Sequence, residues 1–320
     1  MISLVGLLTL LSLPSRALIT AFKTLIFGGQ FRKYPRNVLV NVLLSMIKTL
    51  LQLPIKDCYY ISYSNNFLLN RIVHLANKPI TSKLPGYGTK NDANSLWLVK
   101  QPAIKKSDPI LIYLHGGGYF LQTAPSQIES LIAIYKLTTP EIQSKLSMIL
   151  LDYGLASAGH TVPHPLHQLH ATYSRLVDQG FTNFVYVGDS AGGHLAITHL
   201  QYLKQVKYKV FPKQVVLISP WVKLSVPTSD LVPGYSYHDN DKRDIIQYKL
   251  GANVKYIVGN SDMNSLLISP GNKTPQDPND WKGIPTLNDP GYGVFVLAGE
   301  DEVFRDDVLE WSKNALGVSF

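Results

Sequence analysis

The feature that most constrains how this chain can fold is the pentapeptide GDSAG, residues 188–192. It completes the apolar run FVYVG, which is typical of a short buried strand, and it leads into AGGHLAITHLQYLKQV, which has helical spacing. A sharp strand-to-helix turn needs small residues on both sides of the serine, and it exposes the hydroxyl at the helix N-terminus. This context predicts Ser190 as a nucleophile. Without it, GDSAG would indicate only a glycine-rich helix start.

Other apolar runs of strand length alternate with helical stretches along the body of the chain. The runs are PILIYLHGGG (109–118), SMILLDY (147–153), QVVLISPW (214–221) and YGVFVLAG (292–299), and residues 167–180 have helical spacing. Strands separated by helices indicate βαβ units and a mostly parallel sheet flanked by helices. Between residues 222 and 291, Pro, Gly, Asn and Asp interrupt this pattern. We therefore expect a cap-like insertion there, over the carboxyl edge of the sheet.

A second glycine-rich motif, HGGGY at residues 115–119, comes at the end of the run PILIYLHGGG, where the predicted strand leads into a loop. Consecutive glycines let backbone N–H groups approach a substrate oxygen with no side chain in the way. Together with the N–H group of Ala191, such donors can stabilise the anionic oxygen of a tetrahedral intermediate. The alternatives are a flexible loop or a phosphate cradle. Neither a G-K-[ST] nor a G-x-G-x-x-G pattern is present to favour the cradle.

Charge and cysteine content narrow the possible partners. Residues 1–60 hold seven basic side chains and one acidic one, so they account for +6 of the net charge of +8. The body of the chain is therefore nearly neutral, and we expect no nucleic-acid surface on it. A single cysteine, Cys58, excludes an internal disulfide.

The N-terminal segment is strongly apolar as well as basic. MISLVGLLTLLSLP and ALITAFKTLIFGG are separated by Ser15 and Arg16, and VLVNVLLSMIKTLLQLP (38–54) has apolar residues at helical spacing. A bilayer span takes about 20 apolar residues, so residues 2–28 have the length but are interrupted. We expect residues 1–56 to associate with a membrane and residues 57–320 to form the main domain. A cleaved signal peptide and a helix packed on the main domain are the alternatives.

The motifs occur in the order found in a known family. The chain contains, in sequence, HGGGY, DYGLA, GDSAGGHLA, ISPW, SLLISPGN and RDD. It resembles the hormone-sensitive-lipase-like α/β-hydrolases and, with its apolar N-terminus, is most similar to the fungal steryl acetyl hydrolases of the endoplasmic reticulum membrane. The resemblance implies an α/β-hydrolase fold and serine esterase chemistry on sterol or other lipid acetyl esters, with no cofactor and no metal. Ser190 would attack, and Gly117, Gly118 and Ala191 would donate to the oxyanion. One departure is that Ala156 is not followed by the Pro-Glu pair of relatives.

The same resemblance offers two candidates for the acid of a catalytic triad. Relatives read D-x-L-R-D-D or a close variant, and laying that pattern without a gap on residues 302–307 places Glu302 in the role. Asp301 would require a one-residue insertion before Arg305. Glutamate orients an imidazole as well as aspartate does. We therefore prefer Glu302.

The base is the missing part of this interpretation. The order in this fold is Ser, acid, His, and the sequence contains no histidine after His238. Histidines at 160, 164, 167 and 170 invite a zinc interpretation, but Pro163 and Pro165 prevent one helix from presenting all four. We expect the last strand and the histidine loop to be lacking. A catalytically impaired homologue and a non-catalytic lipid- or sterol-binding protein therefore remain alternatives to an active esterase.

Overall fold

The centre of the protein is a seven-stranded, mostly parallel sheet, seen in a computed structural model that describes residues 1–31, 33–247 and 254–318. The strands are β1 Lys90–Asp92, β2 Ser95–Val99, β3 Ile110–Leu114, β4 Ser147–Leu151, β5 Phe184–Asp189, β6 Gln214–Ile218 and β7 Gly293–Leu297. Their order is β1-β2-β4-β3-β5-β6-β7. β1 and β2 pair antiparallel, as do β2 and β4, and all other pairs are parallel. The predicted α/β architecture is confirmed, and the sequence patterns located five of the seven strands.

Helices cover both faces of the sheet. In chain order they are α1 Leu4–Leu11, α2 Leu13–Phe27, α3 Val38–Leu50, α4 Ile55–Ile61, α5 Asn65–Phe67, α6 His74–Ala76, α7 Lys78–Thr81, α8 Pro125–Leu137, α9 Pro140–Gln143, α10 His164–Asp178, α11 Ala191–Gln205, α12 Ser236–Asp239, α13 Val254–Val258, α14 Pro285–Asn288 and α15 Arg305–Leu316. A π-helix, Leu68–Val73, joins α5 to α6. α11 packs across β3, β5 and β6 and is buried along most of its length.

Alternation along the strands divides the core into two. On β3, Ile110 and Ile112 belong to the cluster shared with α10 and α11, whereas Leu111 and Tyr113 belong to the cluster shared with α8. Successive side chains of a strand point to opposite faces, so an unbroken apolar run such as ILIYL requires helices on both sides. This is why the central strands read as continuous apolar sequence.

β7 forms one edge of the sheet in the described part of the chain. Its inner side pairs with β6 from Gln214–Gly293 to Ile218–Leu297. Phe295 is 61% exposed and Leu297 is 51% exposed. An apolar edge strand of this kind has unpaired backbone groups that are open to further pairing.

The N-terminal helices lie outside the sheet and are tied to the body at a few polar contacts. Asp57, a buried residue of α4, accepts hydrogen bonds from the backbone N–H group of Ser3 at 2.9 Å and from its hydroxyl. α2 packs on α3. No single described helix is long and apolar enough to cross a bilayer, whereas α1 and α2 together have sufficient length and composition and meet at a bend of 42°.

The interrupted region 222–291 contains short helices and 3-10 turns rather than strands wherever it is described. Residues 236–244 of this region contact the loop that follows β7. The role of this region as a cap and the boundary at residue 56 remain predictions.

Candidate active site

Ser190 lies in a strained turn between β5 and α11. β5 ends at Asp189 and α11 begins at Ala191, and Ser190 has φ 50° and ψ −115°. A positive φ at a non-glycine residue is costly and is found mainly where function requires it. The Ser190 N–H group donates to Ile218 O at 2.9 Å. The hydroxyl is partly exposed and forms no hydrogen bond with another residue described by the structure.

The two glycines of the pentapeptide are required by close backbone contacts. A Cβ atom at position 192 would lie 1.8 Å from the carbonyl oxygen of Leu114, and one at position 188 would lie 2.5 Å from Gly192 O. Backbone cannot yield as a flexible side chain does. The turn that exposes Ser190 therefore requires glycine at both positions, a stricter requirement than the small residues predicted from the sequence.

The glycine motif at 115–119 places free backbone donors at the same edge of the sheet. Gly117 has φ 114° and Gly118 has φ 62°, both in the region that favours glycine. The Gly117 carbonyl accepts the N–H groups of Phe120 and Leu121 at 3.0 and 2.9 Å, which closes the loop into a tight turn. Among the described residues, none accepts a hydrogen bond from the N–H group of Gly117, Gly118 or Ala191. Two unpaired donors in the glycine loop, with a third at the start of α11, suit a developing anion.

Asp189 links the nucleophile turn to the glycine loop. Its carboxylate accepts the Gly116 N–H group at 3.0 Å, the Tyr113 hydroxyl at 2.5 Å and the Gln127 side-chain amide at 2.8 Å. Burial, followed by the nearby Asp189 charge, raises the pKa of Tyr113, so the phenol remains a donor. This role of Asp189 was not predicted, although Asp189 directly precedes the serine, at the end of the strand beside β3.

A buried chain of polar groups lies behind the glycine loop. His194 Nε2–H donates to Ile268 O at 2.9 Å, so Nδ1 accepts the Tyr119 hydroxyl at 2.6 Å. Burial lowers the pKa of His194 to about 4, which keeps the ring neutral. His115 donates from Nδ1 to Gly116 O at 2.7 Å and stacks on Tyr153 with ring centroids 4.2 Å apart. Both histidines therefore support the glycine loop, His115 directly and His194 through the Tyr119 hydroxyl.

Of the two acid candidates, Glu302 is the one built into the site. Its Oε1 accepts the Ser219 hydroxyl at 2.8 Å, and Ser219 directly follows Ile218, whose carbonyl holds Ser190 N–H. Its Oε2 is buried and has no hydrogen-bond partner in the described ranges. Asp301 instead lies 3.6 Å from Arg243 with 36% of its side chain exposed. The geometry favours Glu302, and the signal for Ser219 was its place in the ISPW motif.

The remaining histidines lie away from these groups. α10 begins at His164, earlier than the predicted 167, because Pro165 fits the first turn of a helix. His160 precedes that helix and stacks on His164 at 4.5 Å. His170 Nδ1 lies 3.2 Å from His199 Nε2. The described residues contain no group of three potential metal ligands, and none of their imidazoles hydrogen-bonds to Ser190 or Glu302.

Comparison with known proteins identifies the family. Residues 32–318 match the family described as steryl acetyl hydrolase. The chain belongs to the steryl acetyl hydrolase family. This steryl acetyl hydrolase homologue is 33% identical to mug81 of Schizosaccharomyces pombe, a protein assigned to the steryl acetyl hydrolases, over 98% of its own length and 84% of that protein. It is also 33% identical to Steryl acetyl hydrolase 1 of Saccharomyces cerevisiae, over 36% of this chain and 27% of that protein.

Solved structures support the fold of this steryl acetyl hydrolase homologue. An esterase of the bacterial hormone-sensitive lipase family matches with a TM-score of 0.53 and 20% identity, over 86% of this chain and 84% of that one. Esterase E25 matches with a TM-score of 0.59 and 17% identity, over 87% and 82%. The predicted resemblance and the α/β-hydrolase fold are confirmed. By family and fold the chain is a serine ester hydrolase.

Proposed function

We propose that this chain deacetylates sterol or other lipid acetyl esters at a membrane, with Ser190 as nucleophile and Glu302 as triad acid. The observation that carries the proposal is a strained, partly exposed serine at the same edge of the sheet as the three unpaired N–H groups of Gly117, Gly118 and Ala191. The names of mug81 and Steryl acetyl hydrolase 1 support steryl acetates as the substrate class.

In the proposed reaction, Ser190 Oγ attacks the acetyl carbonyl carbon and the carbonyl oxygen becomes an anion. The N–H groups of Gly117, Gly118 and Ala191 stabilise this oxyanion, each contributing about 3 kcal/mol to lowering the barrier. Collapse of the intermediate breaks the bond to the alcohol oxygen and leaves an acetylated serine. Water then releases acetate and regenerates the hydroxyl.

Proton transfer in this reaction needs a base that takes the Ser190 proton and returns it to the leaving alcohol. The free Oε2 of Glu302 fits an N–H group of such a base, because a buried carboxylate oxygen without a donor is costly. Its other oxygen is already occupied by Ser219. Glu302 would therefore orient the base rather than act on the ester itself.

Membrane association is proposed for residues 1–56, in the endoplasmic reticulum. The support is a row of exposed apolar side chains on α1, α2 and α3, among them Leu4, Leu18, Leu25, Phe27 and Leu39, each more than 70% exposed. Apolar area of this kind, next to the basic residues of the same segment, favours the boundary of an anionic lipid surface. Flotation of the chain with lipid vesicles, compared with a chain that starts at residue 57, tests this directly.

A second candidate function is lipid or sterol binding without turnover. It is favoured by one observation: within the described ranges, no imidazole hydrogen-bonds to Ser190 Oγ. Loss of a triad member costs about 10⁴- to 10⁶-fold in rate, so an unassisted serine would turn over very slowly.

One experiment separates the two candidates. The purified chain is treated with a fluorophosphonate probe and assayed for short-chain ester hydrolysis, with Ser190→Ala as the matched control. Labelling and turnover that both disappear in the control support the hydrolase. Saturable binding of a sterol ester, without labelling and without turnover, would establish the binding function instead.

A further inference from the structure

The loop that carries Glu302 is held by two buried side chains from the interrupted region. Asn240, which is 2% exposed, donates from Nδ2 to Glu300 O at 3.0 Å and to Glu302 O at 2.9 Å. Asp244, also buried, accepts the Val303 N–H group at 2.8 Å. We call residues 240–244 the bridge segment. Its hydrogen bonds hold the backbone from Glu300 to Val303, a stretch that lies beyond the end of β7 at Leu297.

The opposite side of the bridge segment is held by an N-terminal helix. Lys48 of α3 donates from Nζ to two backbone carbonyls, Asp241 O at 3.0 Å and Asp244 O at 2.6 Å. A charged donor to backbone carbonyls forms one of the stronger kinds of hydrogen bond. The Lys48 ammonium therefore links the bridge segment to α3 through two hydrogen bonds, although Lys48 and Asp241 are 193 residues apart in the sequence.

α3 is in turn packed on α2, which carries much of the exposed apolar surface. The two helices contact each other along their lengths, and Thr20 Oγ1 lies 3.2 Å from Ser45 Oγ. A continuous set of contacts thus runs from the exposed face of α2, through α3, Lys48 and the bridge segment, to Glu302.

We propose that Lys48 is a positioning residue for Glu302, so that the N-terminal helices govern turnover as well as location. The inference rests on the proposed role of Glu302 as triad acid. Lys48 touches neither substrate nor reacting atoms in this arrangement. It acts by holding the bridge segment in place. The bridge segment in turn keeps the acid loop, residues 299–305, at the position where Glu302 reaches Ser219.

The test replaces the ammonium and keeps the stem. In the full chain, Lys48→Met is expected to lower kcat for a water-soluble acetyl ester about tenfold with KM changed less than about twofold, since small misplacements of a catalytic group cost rate rather than binding. Lys48→Arg retains the donors and is expected to restore most of kcat. Lys23→Met is the matched control, because Lys23 is exposed on α2, makes no hydrogen bond or ion pair with the described residues, and carries the same charge.

A kcat of Lys48→Met equal to that of Lys23→Met, in protein with an unchanged unfolding midpoint, would overturn the proposal. So would a loss of kcat that Lys48→Arg does not restore. Backbone hydrogen exchange of residues 299–305 gives a readout that does not depend on turnover. We expect it to rise at least about threefold in Lys48→Met and not in Lys23→Met, because the Val303 N–H group loses its fixed acceptor.

The two failures are therefore distinguishable. If the unmodified chain neither hydrolyses esters nor reacts with the fluorophosphonate probe, the proposed function fails, and hydrogen exchange alone decides whether Lys48 holds the acid loop. If the unmodified chain is active and exchange at 299–305 does not respond to Lys48→Met, the positioning role fails while the hydrolase stands.

Discussion

Asp189→Asn is the substitution that most directly tests how the glycine loop is held. The carboxylate accepts three donors, from Gly116, Tyr113 and Gln127. Asparagine keeps one oxygen for the Gly116 N–H group and the Tyr113 hydroxyl. Its NH₂ group would then face the NH₂ group of Gln127, so two donors would meet without an acceptor. Gln127 cannot easily flip in response, because its Oε1 already accepts the Ala124 N–H group at 2.6 Å.

The expected size of the effect follows from these three bonds. A hydrogen bond to a charged group contributes about 1.5–3 kcal/mol and a bond to a neutral group about 1 kcal/mol. In Asp189→Asn the bonds from Gly116 and Tyr113 therefore weaken by about 1 kcal/mol each, and the bond from Gln127 is lost. Asp189 is partly exposed, so we take the lower end, about 2–3 kcal/mol of the free energy of unfolding. If the released loop also moves one oxyanion donor out of reach, the barrier rises by about 3 kcal/mol and kcat falls about 10²-fold.

The assay combines hydrolysis of a short-chain ester with denaturant unfolding. Tyr113→Phe is the matched control, since it removes one of the three bonds and leaves the Gly116 contact in place. We expect it to cost about 1.5 kcal/mol of stability, the lower end for a bond to a charged group, and to change kcat less than about threefold. If Asp189→Asn keeps kcat while losing stability, or if Tyr113→Phe loses as much activity, the loop is not held as argued.

Three further predictions address the acid, the turn and pH. Glu302→Gln should lower kcat at least about 10²-fold and Asp301→Asn less than about threefold in the ester assay, and the reverse order would reject Glu302. Gly192→Ala should lower the free energy of unfolding by about 3 kcal/mol or more, because the added Cβ would lie 1.8 Å from a backbone oxygen. Gly293→Ala is the control, since nothing lies within 4 Å of its Cβ, and should lower it by less than about 1 kcal/mol. Equal losses in denaturant unfolding would contradict the close contact. The pKa of His194 is lowered to about 4 in the folded protein, so between pH 6.5 and 4 only the unfolded state takes up a proton at this ring. The contribution of the neutral ring to folding stability is therefore complete above pH 6.5 and is lost as the pH falls toward 4. Between pH 6.5 and 4, the free energy of unfolding should therefore fall by about 3 kcal/mol less in His194→Gln than in the unmodified chain. Parallel plots of unfolding free energy against pH for the two proteins would refute this.

Several parts of the candidate site were predictable from sequence because they depend on local contacts. GDSAG and HGGGY each come at the end of a strand, and the need for glycine at positions 188 and 117 is set by backbone four residues away. The need for glycine at position 192 is set instead by Leu114 of the neighbouring strand β3. The preference for Glu302 over Asp301 came from a motif register. In the structure Glu302 accepts the Ser219 hydroxyl, and its role as triad acid stays a prediction.

Other parts were not predictable because their partners are distant in the chain. No periodicity relates Asp189 to Gly116, Asn240 to the backbone of Glu302, or Lys48 to the bridge segment. Strands β1 and β2 were missed for a related reason. They are short, and β2, to which β1 pairs, finds its other partner β4 about 50 residues further along the chain.

The sequence by itself determined the family, the α/β-hydrolase fold and the expectation of a serine turn, because motif order and strand length are properties of neighbouring residues. The tertiary structure decided which acid faces Ser219, which carboxylate holds the glycine loop, and that an N-terminal helix contacts the bridge segment. The contacts of Asp189 and Glu302 are formed when strands β3, β5, β6 and β7 align their carboxyl ends at one edge, and the Lys48 contact when α3 packs against the bridge segment. Only this tertiary packing brings residues far apart in sequence within hydrogen-bond distance of one another.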